Sequence, residues 1–396
     1  MSHFTFRFVL IIFAFTSCTK IMPPAPANEE VLDGSLDGLS SDETARFLNG
    51  DVAFNNEVFT PQTGLGPIFV ATSCGACHAG DGKGHPFSSL TRFGQSDTSG
   101  NQYLSKGAPQ LQHRAIPGFL PESLPPSASK SILLPPANTG LGFLDAVSDA
   151  DLLALSDPSD MDGDGISGVP NWINIPNYCK LRKGAISNAG KYIGRFGKKG
   201  STYDLLQQTA NAYNQDMGVS STFEPEDTYS KQIVEPEVSN KTIHDVVFYL
   251  LTLKAPLQRD KTDAAVIEGQ TIFNKIYCNK CHISQLKTGN SDIAALANKV
   301  FYPYTDLLLH DMGPQLDDGY TEGSATTSEW KTPALWGLGL SKNSQGGTYY
   351  LMHDGRAKSI EEAILLHGGE AQISRQGYTS LTPLEKNNLI KFLESL

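Results

Sequence analysis

The 396-residue sequence predicts a mainly α-helical, loop-rich protein of two units related by internal duplication. Three observations predict it. The pattern Cys-x-x-Cys-His occurs twice, 204 residues apart, as Cys74-Gly-Ala-Cys77-His78 and Cys278-Asn-Lys-Cys281-His282. Each copy follows a stretch with helical apolar spacing, and each unit closes with an amphipathic helix. A second pattern, Pro-Ala-x-x-Gly-Leu-Gly-apolar, recurs at 136–143 and 333–340, at similar offsets after the two motifs, as a repeated unit would show it.

Composition bounds the rest. The chain is 39% hydrophobic, enough for buried cores, and its 37 Gly and 23 Pro call for long loops. There are 31 Lys+Arg against 42 Asp+Glu, a net charge of −11, and no basic run, which argues against a nucleic-acid partner. An acidic surface would steer a basic redox protein.

In chain order, residues 1–18 read as a lipoprotein signal. Arg7 precedes the apolar run 8–15, which is too short to span a bilayer. Phe15-Thr-Ser-Cys18 resembles a bacterial lipobox, with Cys18 lipidated; the alternative is an ordinary cleaved leader. Residues 19–40, Pro- and Ala-rich at first, read as a flexible tether. No later segment could span a membrane. The expectation is therefore a folded body on the periplasmic side of the cell envelope, lipid-anchored, in an oxidising compartment.

Residues 41–255 form the first expected unit. Phe47, Leu48 and Phe54 give a helix over 44–54, and Ile243, Val246, Val247, Leu250 and Leu251 give the closing helix over 242–254. Residues 256–396 form the second. A helix over 267–273 leads into its Cys-x-x-Cys-His motif. The final helix has Thr382 as N-cap, Pro383 at its first position and Glu385 closing a capping box.

Each Cys-x-x-Cys-His motif reads as an attachment site for haem c. The thiols of Cys74, Cys77, Cys278 and Cys281 would add across the vinyl groups, and His78 and His282 would be the proximal iron ligands. By composition such a motif is expected about 0.002 times per chain. A four-Cys zinc site or a pair of redox dithiols would not need a His after each pair. With helix, motif and closing helix in that order, each unit has the outline of a cytochrome c domain. Cys179 is left over and reads as a small buried residue.

Within the first unit, on the stretch that joins the two motifs, lies Asp157-Pro-Ser-Asp160-Met-Asp162-Gly-Asp164-Gly. Alternate Asp followed by Gly opens an EF-hand-type loop, and hard oxygen donors favour Ca²⁺. Asn171 stands where the closing Glu belongs, so the alternative is an acidic turn. Trp330 is a candidate aromatic relay between the haems, with a core role as the alternative.

Several further stretches carry a resemblance: 64–74, 160–168, 194–197, 215–218, 306–313, 330–333, 353–357 and 361–370. Together they are similar to the bacterial di-haem cytochrome c peroxidase superfamily, in its di-haem oxidoreductase branch, also called thiol oxidoreductases. The latter label finds little support, because every paired Cys is used for haem. The resemblance implies a distal ligand to the second haem at the position of His367, where relatives carry Met or Tyr; Met312 and Met352 are rivals. It implies a displaceable loop His at the first haem, for which His113 is the candidate. It implies a Gln and a Glu in the distal pocket ten residues apart, a spacing Gln112 and Glu122 reproduce. The expected function is peroxidase-like: electrons from a redox protein enter at the second haem and reduce a small peroxide-like oxidant at the first. The alternative is a non-catalytic electron relay with both haems six-coordinate.

Overall fold

A computed structural model describes residues 27–396. The leader, Cys18 and the first part of the tether lie outside the described residues. Residues 34–36 pack rather than float: Leu36 is buried, and Ser35 bridges to Leu253.

Four helices of twelve or more residues organise the described chain: α1 (Ser41–Asn55), α2 (Asn240–Thr252), α3 (Ala264–Lys275) and α4 (Pro383–Ser395). Each begins on a side-chain cap that satisfies a first-turn N–H. Ser40 and Thr382 make full capping boxes with Glu43 and Glu385; Ser239 and Asp263 cap singly. α1 packs on α2, and α3 on α4. Phe47, Phe54, Val246 and Tyr249 fill the first contact. Val266, Phe273, Leu389 and Phe392 fill the second. Burial of each such side chain stabilises the fold by roughly 1.5–3 kcal/mol.

Both crossings need a glycine. A Cβ at Gly50 would run into the Asp245 carbonyl, and one at Gly269 into the Asn388 carbonyl. Backbone cannot move aside as a side-chain tip can. Gly269→Ala is therefore expected to destabilise the fold by about 1–3 kcal/mol, read as a lower denaturant midpoint at unchanged slope.

The mainly α, duplicated architecture is corrected by the structure. Helix accounts for 31% of the described residues and strand for 12%. The strands are two to four residues long and form small antiparallel sheets. Leu90–Phe93 pairs with Lys130–Leu133, Leu309–Asp311 with Glu329–Lys331, and three short strands meet around Lys191–Ile193. Gly- and Pro-rich loops that must cover a site close on themselves in this way, because buried backbone groups need partners. Duplication is not shown either. His78 is anchored on Pro136, at the head of the recurring pattern, whereas His282 is anchored on Tyr304, well before Pro333.

Candidate functional site

The first motif forms a tight turn, with the Cys77 and His78 amides donating to the Cys74 carbonyl at 3.1 and 3.0 Å. His78 Nδ1 lies 3.0 Å from the Pro136 carbonyl, so it carries the proton and donates. Nε2 is left with its lone pair. Burial pushes the imidazole down to about 4, which keeps it neutral. Phe54 packs beside the ring at 6.0 Å. Asp81, three residues on, accepts the Tyr249 hydroxyl at 2.6 Å and ties the motif to α2.

The second motif repeats this chemistry with different partners. The His282 amide donates to the Cys278 carbonyl at 3.0 Å, and Nδ1 donates to the Tyr304 carbonyl at 2.9 Å. Burial again lowers its pKa to about 4. Cys278, Cys281 and His282 line an apolar cavity of about 1410 Å³, its open mouth included. His367 lines the same cavity. It follows the short helix Ile360–Leu365, and its Nδ1 donates to the Ala363 carbonyl at 2.7 Å, leaving a second unprotonated Nε2. Burial lowers its pKa too. Met312 and Met352 also line the cavity, with Met352 in a left-handed backbone conformation.

These donors fit haem c. Each motif offers two thiols and a neutral imidazole whose orientation is fixed by a backbone carbonyl, the usual support of a metal-ligating His. The cavity at the second motif is apolar and large enough for an extended cofactor.

The structure gathers some of the other expected residues. Gln112 and Glu122 meet: the Gln112 amide donates to Glu122 Oε2 at 2.7 Å. Gln112 is buried, and its Nε2 donates to the carbonyls of Asn214 and Gln215. Burial raises the Glu122 pKa. His113, the next residue after Gln112, is exposed. Cys179 is half-buried, and burial pushes its thiol up to about 12, so it is inert.

Asp157, Asp160 and Asp162 bring carboxylate oxygens within 4.8 Å of one another. Asp164 is drawn off to Lys280, inside the second motif, at 2.7 Å. The loop also reaches the site through Ser167, whose hydroxyl donates to Glu370 at 2.6 Å.

The surroundings of three residues were not foreseen. Asp216 ends the π-helical turn Ala212–Asp216; Gln110 donates to it, and burial raises it to about 6 beside the thiols of Cys74 and Cys77. Its signal was a carboxylate inside the matched run 215–218. His310 sits between Asp306 and Glu370 at 2.8 and 2.6 Å, and these carboxylates hold it as imidazolium, raised to about 12. The i, i+4 spacing of Asp306 and His310 was readable. Trp330 is sandwiched: the His353 ring stacks on it at 3.8 Å, and Lys199 Nζ lies 3.9 Å from its centre.

Comparison with known proteins adds the following. The family model described as "Di-haem oxidoreductase, putative peroxidase" matches residues 135–396, which include the second motif and the Asp-rich loop but begin after His78. No curated protein matches. Among solved structures, Kuenenia stuttgartiensis hydrazine synthase pressurised with 20 bar xenon is similar at a TM-score of 0.40 and 13% identity, over 99% of this chain and 100% of its own.

Proposed function

The chain belongs to the di-haem oxidoreductase family, and from that premise we propose a c-type, peroxidase-like enzyme that takes electrons at the second motif and reduces a peroxide-like oxidant at the first. Haem-based oxidoreduction is the chemistry of the family. The finer reading rests on one chain of contacts between the motifs. His78 donates to the Pro136 carbonyl. Leu134, two residues earlier, donates its amide to the His353 carbonyl at 2.8 Å. The His353 ring stacks on Trp330, which lines the cavity of His282. Trp330 is thus the aromatic step of an electron path.

When bound, haem supplies an iron that exchanges single electrons and, at an open coordination position, binds peroxide. The residues divide the remaining work. Cys74, Cys77, Cys278 and Cys281 would be the covalent tethers, and His78 and His282 would hold the iron. His367 would supply a further ligand at the second site. Glu122 accepts the proton of peroxide and returns it to the leaving oxygen, with Gln112 fixing its position.

In the half-reduced protein, peroxide is expected to be consumed at the first haem, with Glu122→Gln slowing turnover by about two to four orders of magnitude. The base form is needed and burial raises the Glu122 pKa, so the wild-type rate climbs as pH rises through that value. The Gln variant loses this limb. Two low-spin haems without turnover, and a silent Glu122→Gln, would favour the relay reading instead.

We further propose Ca²⁺ at Asp157, Asp160 and Asp162. Elemental analysis should find one Ca²⁺ per chain, and chelation should lower Tm, since an ion bound to the native state at a hundredfold its Kd stabilises by about 2.7 kcal/mol. Stability indifferent to chelator would leave an acidic turn. On the leader and Cys18, we propose a lipid-anchored protein of the cell envelope, served by a basic redox donor. No helix among the described residues is long and apolar enough to cross a membrane.

A further inference from the structure

Three lysines converge on the cavity of the second motif. Lys83 comes from the loop just after His78, Lys198 from the segment following Arg195, and Lys331 from the strand that carries Trp330. All three line the cavity. The Lys331 amide donates to the Lys198 carbonyl at 3.1 Å, which fixes two of the stems side by side. Lys83 and Lys331 both disfavour the charged form of Lys198, as like charges lining one cavity do.

Among the described residues, none of the three ammonium groups makes a hydrogen bond or an ion pair. The nearby carboxylates are engaged elsewhere. Asp306 accepts His310 Nε2 at 2.8 Å, and Asp354 accepts Arg356 Nε at 2.8 Å. The contrast with Lys199, one residue along, is plain: its Nζ donates to three backbone carbonyls at 2.8–3.1 Å. Burial pushes Lys83 and Lys331 down to about 8, and it pushes Lys198 well below the usual lysine range. Three like charges against apolar walls are unfavourable unless an anion joins them.

We propose that Lys83, Lys198 and Lys331 form a cationic cradle for the propionate carboxylates of the haem tethered by Cys278 and Cys281. The proposal rests on the haem reading above. The ligand chemistry is a carboxylate pair: the cavity is otherwise apolar, which suits a macrocycle, and its cationic groups are clustered, which suits acidic groups at one edge. Ammonium groups there would favour the ferrous state, because the iron gains an electron beside positive charge in a medium of low dielectric.

The test uses the holoprotein. Lys83→Met, Lys198→Met and their double variant are compared with wild type and with Lys198→Arg, which keeps the charge. Covalent haem is counted by denaturing haem stain. Midpoint potentials are read by spectroelectrochemistry, with the second haem assigned from a Cys74→Ala, Cys77→Ala protein. Two haems are expected throughout, with the second potential falling in each Met variant, falling further in the double, and nearly unchanged in Lys198→Arg. Should a Met variant fail to fold, the corresponding Gln variant takes its place. Unmoved potentials with two haems present would overturn the cradle. Fewer than two haems in wild type would overturn the haem reading instead. Acetate added at constant ionic strength separates a bound propionate from a free carboxylate. If acetate shifts the wild-type potential but not that of Lys198→Met, the ammonium groups are open to diffusible anions and the propionate assignment falls.

Discussion

Replacing both Cys278 and Cys281 by Ala is expected to leave one covalent haem per chain, against two in wild type. The expected change is all-or-none, because each macrocycle depends on its own pair of sulfurs. In the fold the two thiols of each motif belong to one tight turn, closed by the His amide on the first Cys carbonyl. At the second motif both Cys residues and the His line a single cavity. The first motif is untouched by the change: its Cys74 packs against a separate core that holds Phe59, Phe69, Tyr213 and Met217. Denaturing haem stain and a quantitative haemochrome spectrum per chain give the count. Two haems retained in the double Ala protein would end the di-haem assignment. The variant should also melt earlier, because the apolar wall formed by Phe273, Leu338 and Leu393 would lose what it packs against.

What could be read along the chain was what the chain encodes locally. The Cys-x-x-Cys-His pairs need no tertiary context. The capping box of Thr382 and Glu385 and the apolar stripe of α2 are written within one or two helical turns, and both stand in the fold. The Ser40 box at α1 has the same form, and the expected start at 44 fell short of it. The strands escaped because two to four residues cannot display a period. Lys130–Leu133 alternates between exposed and buried for four residues only, so the Gly- and Pro-rich stretches read as plain loop. The mainly α expectation failed on those segments.

Within the site, the ligand candidates were legible and their surroundings were not. Lys280 on Asp164, Ser167 on Glu370 and Lys199 on Trp330 each join residues more than a hundred positions apart. No spacing rule predicts such pairs. His353 illustrates the difference. Its ring stacks flat on Trp330 at 3.8 Å, 23 positions away along the chain. The Asp loop shows the same limit, since only the fold reveals that Lys280 lies 2.7 Å from Asp164 and 3.8 Å from Asp162.

His367→Ala is expected to convert the second haem from low-spin to high-spin or water-ligated. Two neutral imidazoles face one cavity, each with Nδ1 committed to a backbone carbonyl and Nε2 free. They are close enough that the charge of one disfavours protonation of the other. Two such nitrogens would give the iron a strong ligand field, and removing one would leave a position for water. The effect on potential has a definite sign as well. A second imidazole lowers the potential relative to a Met ligand, so His367→Met should stay low-spin and raise it. Met312 and Met352 are the two thioethers among the residues lining the same cavity. Optical and electron paramagnetic resonance spectra of the oxidised protein decide among them. An unchanged low-spin signal in His367→Ala would transfer the ligand role to one of these methionines, and His367 would then be a wall of the cavity. A high-spin signal confined to the second haem, with the first unaltered, would place the closed electron-entry site at His367 and leave the first motif as the one where an oxidant binds.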